Sequence, residues 1–264
     1  MNCKLRFKQI IKNVSVNRAS IDNYIFAVCK FISMRKKEEV RIMFDSIAWR
    51  YDFLNHFLSF GTDLLWRRKA INEIAVRIEP ARVLDLATGT CDLAIEALRL
   101  KPEKVTAVDI SQRMLEEGRK KLYRKKLHGE IELMIGDSEE LPFDDSSFDT
   151  VMVSFGIRNF EDAEKGLSEM YRVLRKKGVV MILEFSRPTG FPFKYIYGFY
   201  FRKVLPFFGA LFSRDRAAYS YLPNSVSAFP EGDDFLSLME GMGFGNLKQR
   251  RLTGGVASIY TAEK

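Results

Sequence analysis

Cysteine and histidine are scarce in this 264-residue chain, which has three cysteines and two histidines. Cys3, Cys29 and Cys91 show neither the close spacing of a metal site nor the even number of a disulfide framework, so they indicate a reducing compartment. No apolar run reaches the roughly twenty residues that a membrane-spanning helix needs. These absences argue against a disulfide scaffold, a cysteine-based metal centre and an integral membrane protein, and they favour a cytoplasmic location.

Acidic residues are nearly absent from the first 33 residues, which hold six lysines and arginines and one acid, Asp22. The segment therefore carries a charge of +5, out of +8 for the whole chain. A secretory signal fits poorly, because the apolar patch at 24–29 is short and no clear cleavage site follows it. A basic arm for nucleic acid and a membrane-surface segment are alternatives. We expect residues 1–33 to be an extension or a misassigned start before Met34, and residues 34–264 to form the functional domain.

The three glycines of a dinucleotide site are missing from residues 83–92, VLDLATGTCD, the most informative segment of the chain, which has one glycine. The pattern predicts a short buried strand, a turn of small residues and the start of a helix, and the next predicted strand ends on Asp109. A dinucleotide site needs G-x-G-x-x-G, whereas this turn has Ala87, Gly89 and Cys91. Such a turn is typical of S-adenosylmethionine sites, in which backbone N–H groups approach the ligand and an acid accepts the ribose hydroxyls. Dinucleotide binding and plain packing of the strand on the helix are the alternatives.

Strand patterns alternate with helix patterns from residue 82 onward. This predicts an α/β fold with a doubly wound, mostly parallel, seven-stranded sheet of the Rossmann-like kind. Helices at 36–79 precede the sheet, with a turn and helix cap at 61–63, and an antiparallel hairpin at 247–262 completes it. The helix before the fifth strand is expected to stop at the basic residues and glycine of 176–178. The predicted strands are 82–87, 104–109, 130–135, 148–153 and 179–185, and the helices between them are 92–100, 111–124 and 162–174.

Four candidate ligand-binding residues, here called the marked positions, stand at the ends of four successive predicted strands: Gly89, Asp109, Asp137 and Ser154. Ligands of doubly wound sheets bind beyond the carboxyl ends of the strands. We therefore expect these positions to surround one site.

Residues 187–229 break the alternation of strands and helices. Twelve aromatic residues lie between Phe191 and Tyr221, together with five lysines and arginines. The composition predicts an inserted helical lid over a large apolar substrate, with its basic residues near a membrane surface. A helical cap whose aromatic residues form only its own core is the alternative, and base stacking on RNA is a third interpretation.

Three motifs are more specific than the turn: YDFLN at 51–55, SFGIRN at 154–159 and LTGG at 252–255. Together with the others they resemble the C-methyltransferases that act on demethylmenaquinol and on 2-polyprenyl-6-methoxy-benzoquinol in menaquinone and ubiquinone biosynthesis. Cys91 stands where most of these relatives have glycine; its side chain could crowd the cofactor, but the residue is small and its backbone is expected to avoid positive φ. The matching segments are 43–55, 59–61, 85–90, 92–94, 109–111, 114–115, 136–143, 154–159, 170–174, 183–186, 188, 204–206, 219–222, 229–230 and 252–255.

The resemblance implies an enzyme that transfers a methyl group from S-adenosylmethionine to a ring carbon of a polyprenylated quinol, most directly demethylmenaquinol. The carbon becomes nucleophilic when the neighbouring hydroxyl loses its proton, and a phenolic pKa of about 10 means that the enzyme must assist. Arg158 is implied to stabilise the oxyanion, Asn159 to orient the substrate and Tyr51 to hydrogen-bond with it. A structural salt bridge is the alternative for Arg158, packing is the alternative for Tyr51, and His56 is a further candidate base.

Six positions are implied to hold the cofactor, S-adenosylmethionine. No metal is expected, because methyl transfer from a sulfonium needs no Lewis acid. The implied contacts are Gly89 and Thr90 with the methionine portion, Asp109 with the ribose diol, Asp137 and Ser138 with the adenine edge, and Ser154 near the sulfonium.

Other classes of function remain alternatives. A small-molecule O- or N-methyltransferase would share the cofactor half, and a nucleic-acid-binding protein or an inactive scaffold with this fold would not methylate a quinol. The expected partner is the polyprenylated quinol, with peripheral contact at the inner face of a membrane and no nucleic acid. The residues leave open whether the acceptor is a naphthoquinol or a benzoquinol, and whether the chain forms a homodimer.

Overall fold

The computed structural model describes residues 37–200 and 216–264. The predicted extension at 1–33 lies outside the described residues, as does the middle of the lid predicted at 187–229.

Two compact units divide the chain between Ile42 and Met43. Residues 37–42 of the first unit are helical, and Glu38 pairs with Arg41 at 2.6 Å. The second unit, Met43–Lys264, contains the whole sheet.

The sheet has seven strands in the order β3-β2-β1-β4-β5-β7-β6. Strands β1 to β5 pair in parallel, whereas β7 runs antiparallel to both β5 and β6. This arrangement confirms the predicted doubly wound, mostly parallel sheet and its C-terminal hairpin. The strands are β1 (Arg82–Leu86), β2 (Lys104–Asp109), β3 (Ile131–Ile135), β4 (Phe148–Ser154), β5 (Leu174–Phe185), β6 (Gly245–Leu252) and β7 (Ala257–Glu263).

Helices cover the sheet and continue into the 187–229 segment. No helix among the described residues is long and apolar enough to cross a bilayer. Residues 43–47 are helical as well. The other α-helices of the second unit, within its described residues, are α1 (Tyr51–Leu58), α2 (Thr62–Ala75), α3 (Asp92–Ala97), α4 (Gln112–Lys125), α5 (Ala163–Val173), α6 (Phe193–Phe199), α7 (Arg216–Ala228) and α8 (Asp233–Gly241).

The central strands are apolar on both faces, because helices cover both sides of a parallel sheet. In β1, Val83 belongs to one hydrophobic cluster, whereas Leu84 and Leu86 belong to the cluster on the other face. All three side chains are fully buried. Strand order reverses between β1 and β4, and a crevice opens at such a switch point beyond the strand ends. The four marked positions follow β1 to β4 at this edge.

Residues 176–178 do not end a helix, so that prediction is wrong. Helix α5 ends at Val173, and β5 begins at once and carries the two lysines within a bulge opposite β4. A Cβ on Gly178 would lie 2.8 Å from the carbonyl oxygen of Arg175 and 2.9 Å from that of Asp149. The glycine is therefore needed where two backbone segments approach closely.

The turn at 61–63 is present, but its cap differs from the prediction. Helix α2 begins at Thr62 after Gly61, which has a φ of 72° and offers no side chain to cap the helix. Asp63 is buried and accepts hydrogen bonds from other side chains instead. By contrast, Ser111 caps α4 as predicted, accepting from the backbone N–H of Met114 at 3.1 Å.

Candidate functional site

The turn between β1 and α3 places three residues in the left-handed region, with φ values of 50° for Ala87, 57° for Gly89 and 72° for Cys91. The expectation that Cys91 avoids positive φ is therefore wrong. Its side chain is fully buried in a hydrophobic cluster, and a Cβ on Gly118 of α4 would lie 2.5 Å from its Sγ. The missing side chain of Gly118 thus makes room for the thiol in the core. Burial raises the pKa of Cys91 to about 12, so the thiol stays protonated.

Asp109 joins the turn after β1 to the start of α4. Its carboxylate accepts hydrogen bonds from the backbone N–H groups of Gly89 at 2.7 Å and Ser111 at 2.8 Å. Burial raises the pKa of Asp109 to about 6, although these two donors oppose the shift. The geometry holds an ionised acceptor, fixed in direction, at the end of β2.

Asp85 is a second buried acid of this edge, in β1. Its Oδ2 accepts the hydroxyl of Thr88 at 2.5 Å, whereas its Oδ1 is buried without a hydrogen-bond partner among the described residues. Burial raises the pKa of Asp85 to about 7. An unpaired buried oxygen costs free energy, so this side chain is suited to a ligand that brings a donor.

Thr90 faces a network of charged side chains that ties α1 to the turn. Its hydroxyl donates to Asp52 and accepts from Lys121 at 3.1 Å. Lys121 also lies 2.6 Å from carboxylate oxygens of both Asp52 and Asp92. The hydroxyl of Thr90 therefore already serves as both a donor and an acceptor. The backbone N–H of Thr90 lies in the turn after β1.

The remaining candidate cofactor positions lie at the ends of β3 and β4. Asp137 accepts the backbone N–H of Glu139 at 2.9 Å, and Ser138 beside it is buried. Ser154 is the last residue of β4 and is half-buried. The predicted cofactor residues thus all lie at the carboxyl edge of the sheet.

A cavity of about 360 Å³ opens beside this edge. Its walls are mainly aromatic and aliphatic, and Tyr51, Arg67, Arg158 and Asp63 are among its few polar members. Tyr51 also packs on the turn after β1, because a Cβ on Gly89 would lie 3.7 Å from its Cε1. Burial raises the pKa of Tyr51, so its hydroxyl stays protonated. The lining residues are Met43, Phe44, Ile47, Tyr51, Asn55, Ser59, Phe60, Thr62, Asp63, Trp66, Arg67, Phe155, Arg158, Phe185, Phe193, Ile196, Tyr197, Tyr200, Tyr221, Leu222, Thr253 and Val256.

Arg158 lines the cavity and also forms a buried ion pair. Its Nη1 lies 2.7 Å from Oε1 of Glu184, which is fully buried in β5, and it donates to the carbonyl of Phe155. Its Nε is buried without a hydrogen-bond partner among the described residues. The structural salt bridge and the position facing the cavity therefore coexist, and no pattern in the sequence indicated Glu184 as the partner.

Asn159 is not among the residues that line the described cavity. Its amide donates to the carbonyl of Phe155 at 3.3 Å and accepts the hydroxyl of Tyr221 at 3.0 Å. Tyr221 lines the cavity, so Asn159 contacts it through that side chain. The structure brings Tyr51 and Arg158 together at the cavity and places Asn159 behind Tyr221.

Sequence reasoning missed a polar cluster around Asp63. This carboxylate accepts from Ser59 at 2.6 Å and Arg67 at 2.5 Å, and it lies 2.9 Å from Nδ1 of His56. Burial favours a higher pKa for Asp63, but these hydrogen bonds and the charge of Arg67 lower it below the usual value. His56, Asp63 and Asp92 lie close enough to ligate one cation, yet Arg67 and Lys121 already neutralise the two carboxylates. His56 itself does not line the described cavity.

Comparison with known proteins identifies the family. The model of the ubiE/COQ5 methyltransferase family matches residues 32–264. The chain is similar to the ubiquinone/menaquinone biosynthesis C-methyltransferase UbiE of Geotalea daltonii, with 48% identity over 231 residues, 87% of this chain and 97% of the relative. It is 46% identical over 231 residues to the demethylmenaquinone methyltransferase of Bacteroides fragilis, 87% of this chain and 94% of the relative.

A solved structure supports the fold. The crystal structure of a SAM-dependent methyltransferase from Thermotoga maritima matches with a TM-score of 0.61 at 21% identity, covering 85% of this chain and 99% of that chain. At this identity the match speaks for the fold alone. The family model covers the whole second unit and each of the two relatives matches 87% of the chain, and the chain therefore belongs to the ubiE/COQ5 methyltransferase family.

Proposed function

We propose that this chain transfers a methyl group from S-adenosylmethionine to a ring carbon of a polyprenylated quinol, and that demethylmenaquinol is its acceptor. The observation that carries the proposal is the aromatic cavity, which Arg158 lines and in which Tyr51 packs on the turn after β1. Its volume is within the range of about 300–1,000 Å³ of small-molecule sites. The names of the relatives from Bacteroides fragilis and Geotalea daltonii support both the reaction and the quinol class.

The acidic residues of the strand edge fit S-adenosylmethionine. This cofactor supplies an electrophilic methyl group on a sulfonium, and it carries an ammonium group and a ribose diol. Asp109 offers an ionised acceptor for the diol, and Asp85 has a buried oxygen that lacks a donor. Gly89 adopts a positive φ and has no side chain, so a ligand can approach its backbone closely. Thr90, Asp137, Ser138 and Ser154 would complete the site from the same edge.

The acceptor half must favour loss of the quinol proton. An oxyanion beside the ring carbon pushes charge into the ring, and a fixed cation next to it stabilises that charge. Arg158 cannot act as a base in the usual sense, since guanidinium stays protonated. Its role in the proposal is therefore to stabilise the oxyanion, and the quinol proton leaves through a water to the solvent. Tyr51 donates a hydrogen bond to the acceptor, and Asn159 contacts the cavity wall through Tyr221.

The mouth of the cavity suits a prenyl chain. Phe60 and Ile196 line the cavity, yet they are 80% and 59% exposed. Phe191, Tyr195 and Phe199 of the α6 region are also exposed. An apolar lining that continues to exposed aromatic residues fits a substrate whose tail stays in a membrane, and it supports a peripheral membrane contact.

The direct test is methylation of defined acceptors by the purified protein. Demethylmenaquinol and the demethylated benzoquinol of the ubiquinone pathway would each be supplied in lipid vesicles with S-adenosylmethionine. We expect a C-methylated product from demethylmenaquinol, with the methyl position assigned by NMR. Faster turnover of the benzoquinol would assign the chain to the second acceptor, and a product methylated only on oxygen or nitrogen would refute the proposal.

Asp109→Ala is expected to weaken binding of S-adenosylmethionine by about 1–3 kcal/mol. The change removes the acceptor of the ribose diol and leaves the backbone donors of Gly89 and Ser111 unpaired. Isothermal calorimetry gives the affinity, and Asp144→Ala, at an exposed loop position, is the control for loss of one acid. Equal affinities in the parent and Asp109→Ala would remove Asp109 from the site.

Removal of residues 1–33 is expected to leave folding and methylation unchanged. The family match begins at residue 32, and the excess positive charge of the chain lies mostly before that point. A variant beginning at Met34 would be compared with the full chain in thermal unfolding, in turnover and in sedimentation with anionic vesicles. If vesicle binding and turnover fall together, the segment contributes to membrane attachment and the prediction fails.

A further inference from the structure

Three aromatic side chains lie next to one another in the wall of the cavity and are here called the aromatic floor: Trp66, Phe155 and Phe185. The ring centroids of Phe155 and Phe185 are 4.5 Å apart, and the ring of Trp66 lies 6.1 Å from the first and 6.3 Å from the second. The rings of Phe155 and Phe185 are inclined to each other by 33°, whereas the indole of Trp66 stands at 87° to the ring of Phe185. A planar aromatic ligand can therefore make face contact with the phenyl rings and edge contact with the indole.

Two polar side chains lie next to the aromatic floor, Arg158 beside Phe185 and Thr253 beside Trp66. The guanidinium carbon of Arg158 lies 5.3 Å from the centroid of Phe185. The hydroxyl oxygen of Thr253 lies 2.8 Å from the indole nitrogen of Trp66. Both residues line the cavity. A ring resting on the floor therefore has one donor available beside Phe185 and a second polar group available beside Trp66.

The direction of the bond between Trp66 and Thr253 is fixed by chemistry. An indole nitrogen can only donate, so the threonine oxygen must be the acceptor. The hydroxyl hydrogen of Thr253 then remains to be donated elsewhere. Trp66 is almost completely buried and the bond is of normal length, which holds the oxygen of Thr253 in place.

The backbone of Thr253 is strained. Its φ is 48°, in the left-handed region, where a β-branched residue is an outlier. Glycine would adopt this conformation at lower cost, as Gly254 does next to it with a φ of 65°. Strain of this kind at a cavity wall suggests that the side chain serves a function there.

We propose that the Thr253 hydroxyl donates a hydrogen bond to the quinol oxygen farther from the methylated carbon, so that the enzyme selects diols over mono-alcohols. The inference rests on the proposed function, in which Arg158 contacts the oxygen beside that carbon. The two oxygens of a quinol stand on opposite sides of one ring, as the two polar groups stand on different rings of the floor. Thr253 forms and breaks no covalent bond, and its role is to position the acceptor.

The test compares two acceptors on matched variants. One probe is a naphthalene diol with a short prenyl chain, and the other is the same molecule lacking only the hydroxyl farther from the methylated carbon. Affinities would be measured by calorimetry with S-adenosylhomocysteine present, and kcat/KM would be measured in parallel. The parent should prefer the diol by about tenfold, the factor of one hydrogen bond of ordinary strength.

Thr253→Val keeps the shape, the β-branching and the strained backbone but has no hydroxyl. It should bind the two probes about equally, with kcat/KM for the diol lowered and that for the mono-alcohol unchanged. Thr253→Ser should keep the preference. Trp66→Phe leaves the hydroxyl but removes the bond that holds its oxygen in place, so it should weaken the preference without abolishing it.

Two results would overturn the inference. If Thr253→Val retains the preference of the parent for the diol, the hydroxyl does not contact the acceptor. If Thr253→Val lowers kcat/KM for the mono-alcohol as much as for the diol, Thr253 acts only by anchoring the indole. Failure of the proposed function is a separate result, because the parent itself would then neither bind nor methylate the diol.

Discussion

Replacing Arg158 by alanine is expected to lower turnover by about a hundredfold or more, the usual effect of losing one oxyanion donor. Affinity for S-adenosylmethionine should barely change, because Arg158 lines the acceptor cavity rather than the strand edge that holds Asp109. Arg158→Lys keeps the charge but loses the planar guanidinium that also contacts Glu184. Its turnover should therefore lie between that of the parent and that of Arg158→Ala. Single-turnover rates with a demethylated quinol and calorimetry with the cofactor provide the measurements.

Glu184 must be controlled for in this experiment. Loss of Arg158 leaves the Glu184 carboxylate buried and unpaired, which destabilises a protein by about 3–5 kcal/mol. The double variant Arg158→Ala with Glu184→Gln removes that charge and should recover most of the stability without recovering turnover. If the double variant methylates at the parent rate, Arg158 serves only to neutralise Glu184, and the acceptor site must be reassigned.

Gly118→Ala is expected to destabilise the protein by about 1–3 kcal/mol, although alanine is a better helix former than glycine by about 1 kcal/mol. The new Cβ would lie 2.5 Å from Sγ of Cys91, inside a packed core with no room for both groups. The same displacement should disturb the turn that carries Gly89, so cofactor affinity should fall as well. Chemical denaturation and calorimetry measure the two effects.

Cys91→Gly is the second substitution to be combined with Gly118→Ala. It removes the thiol and places a glycine at a φ of 72°, which relieves the backbone strain. In that background Gly118→Ala should be tolerated, so the two substitutions should be strongly non-additive in a double-mutant cycle. Additive free energies of unfolding would show that the thiol and the new methyl group do not compete for the same space.

Local patterns in the sequence were sufficient for most of the fold. The alternation of apolar strands and amphipathic helices located β1 to β5, and the serine cap at residue 111 located the start of α4, because these features depend on neighbouring residues. The error at 176–178 arose because a basic run with glycine reads as a helix end. Gly178 is required instead because the β4 backbone at Asp149 approaches it closely, and no local pattern reveals this contact.

The candidate site was predictable only in part, for the same reason. Gly89, Asp109, Asp137 and Ser154 follow strands, so their common edge could be inferred from the topology of parallel sheets. Arg158 and Glu184 are 26 residues apart in the sequence, and Trp66 and Thr253 are 187 residues apart. No local pattern could have predicted either of these pairs. The backbone strain at Cys91 and Thr253 likewise depends on tertiary packing.

The aromatic floor also makes the protein its own optical reporter. The chain has two tryptophans, of which Trp66 is 4% exposed in the cavity wall and Trp49 is 65% exposed. Replacing Trp49 by phenylalanine would leave a single indole as emitter, and its N–H is already held by Thr253. An aromatic acceptor entering the cavity would change the polarity around that indole. Its fluorescence would then follow acceptor arrival in real time, before and independently of methyl transfer.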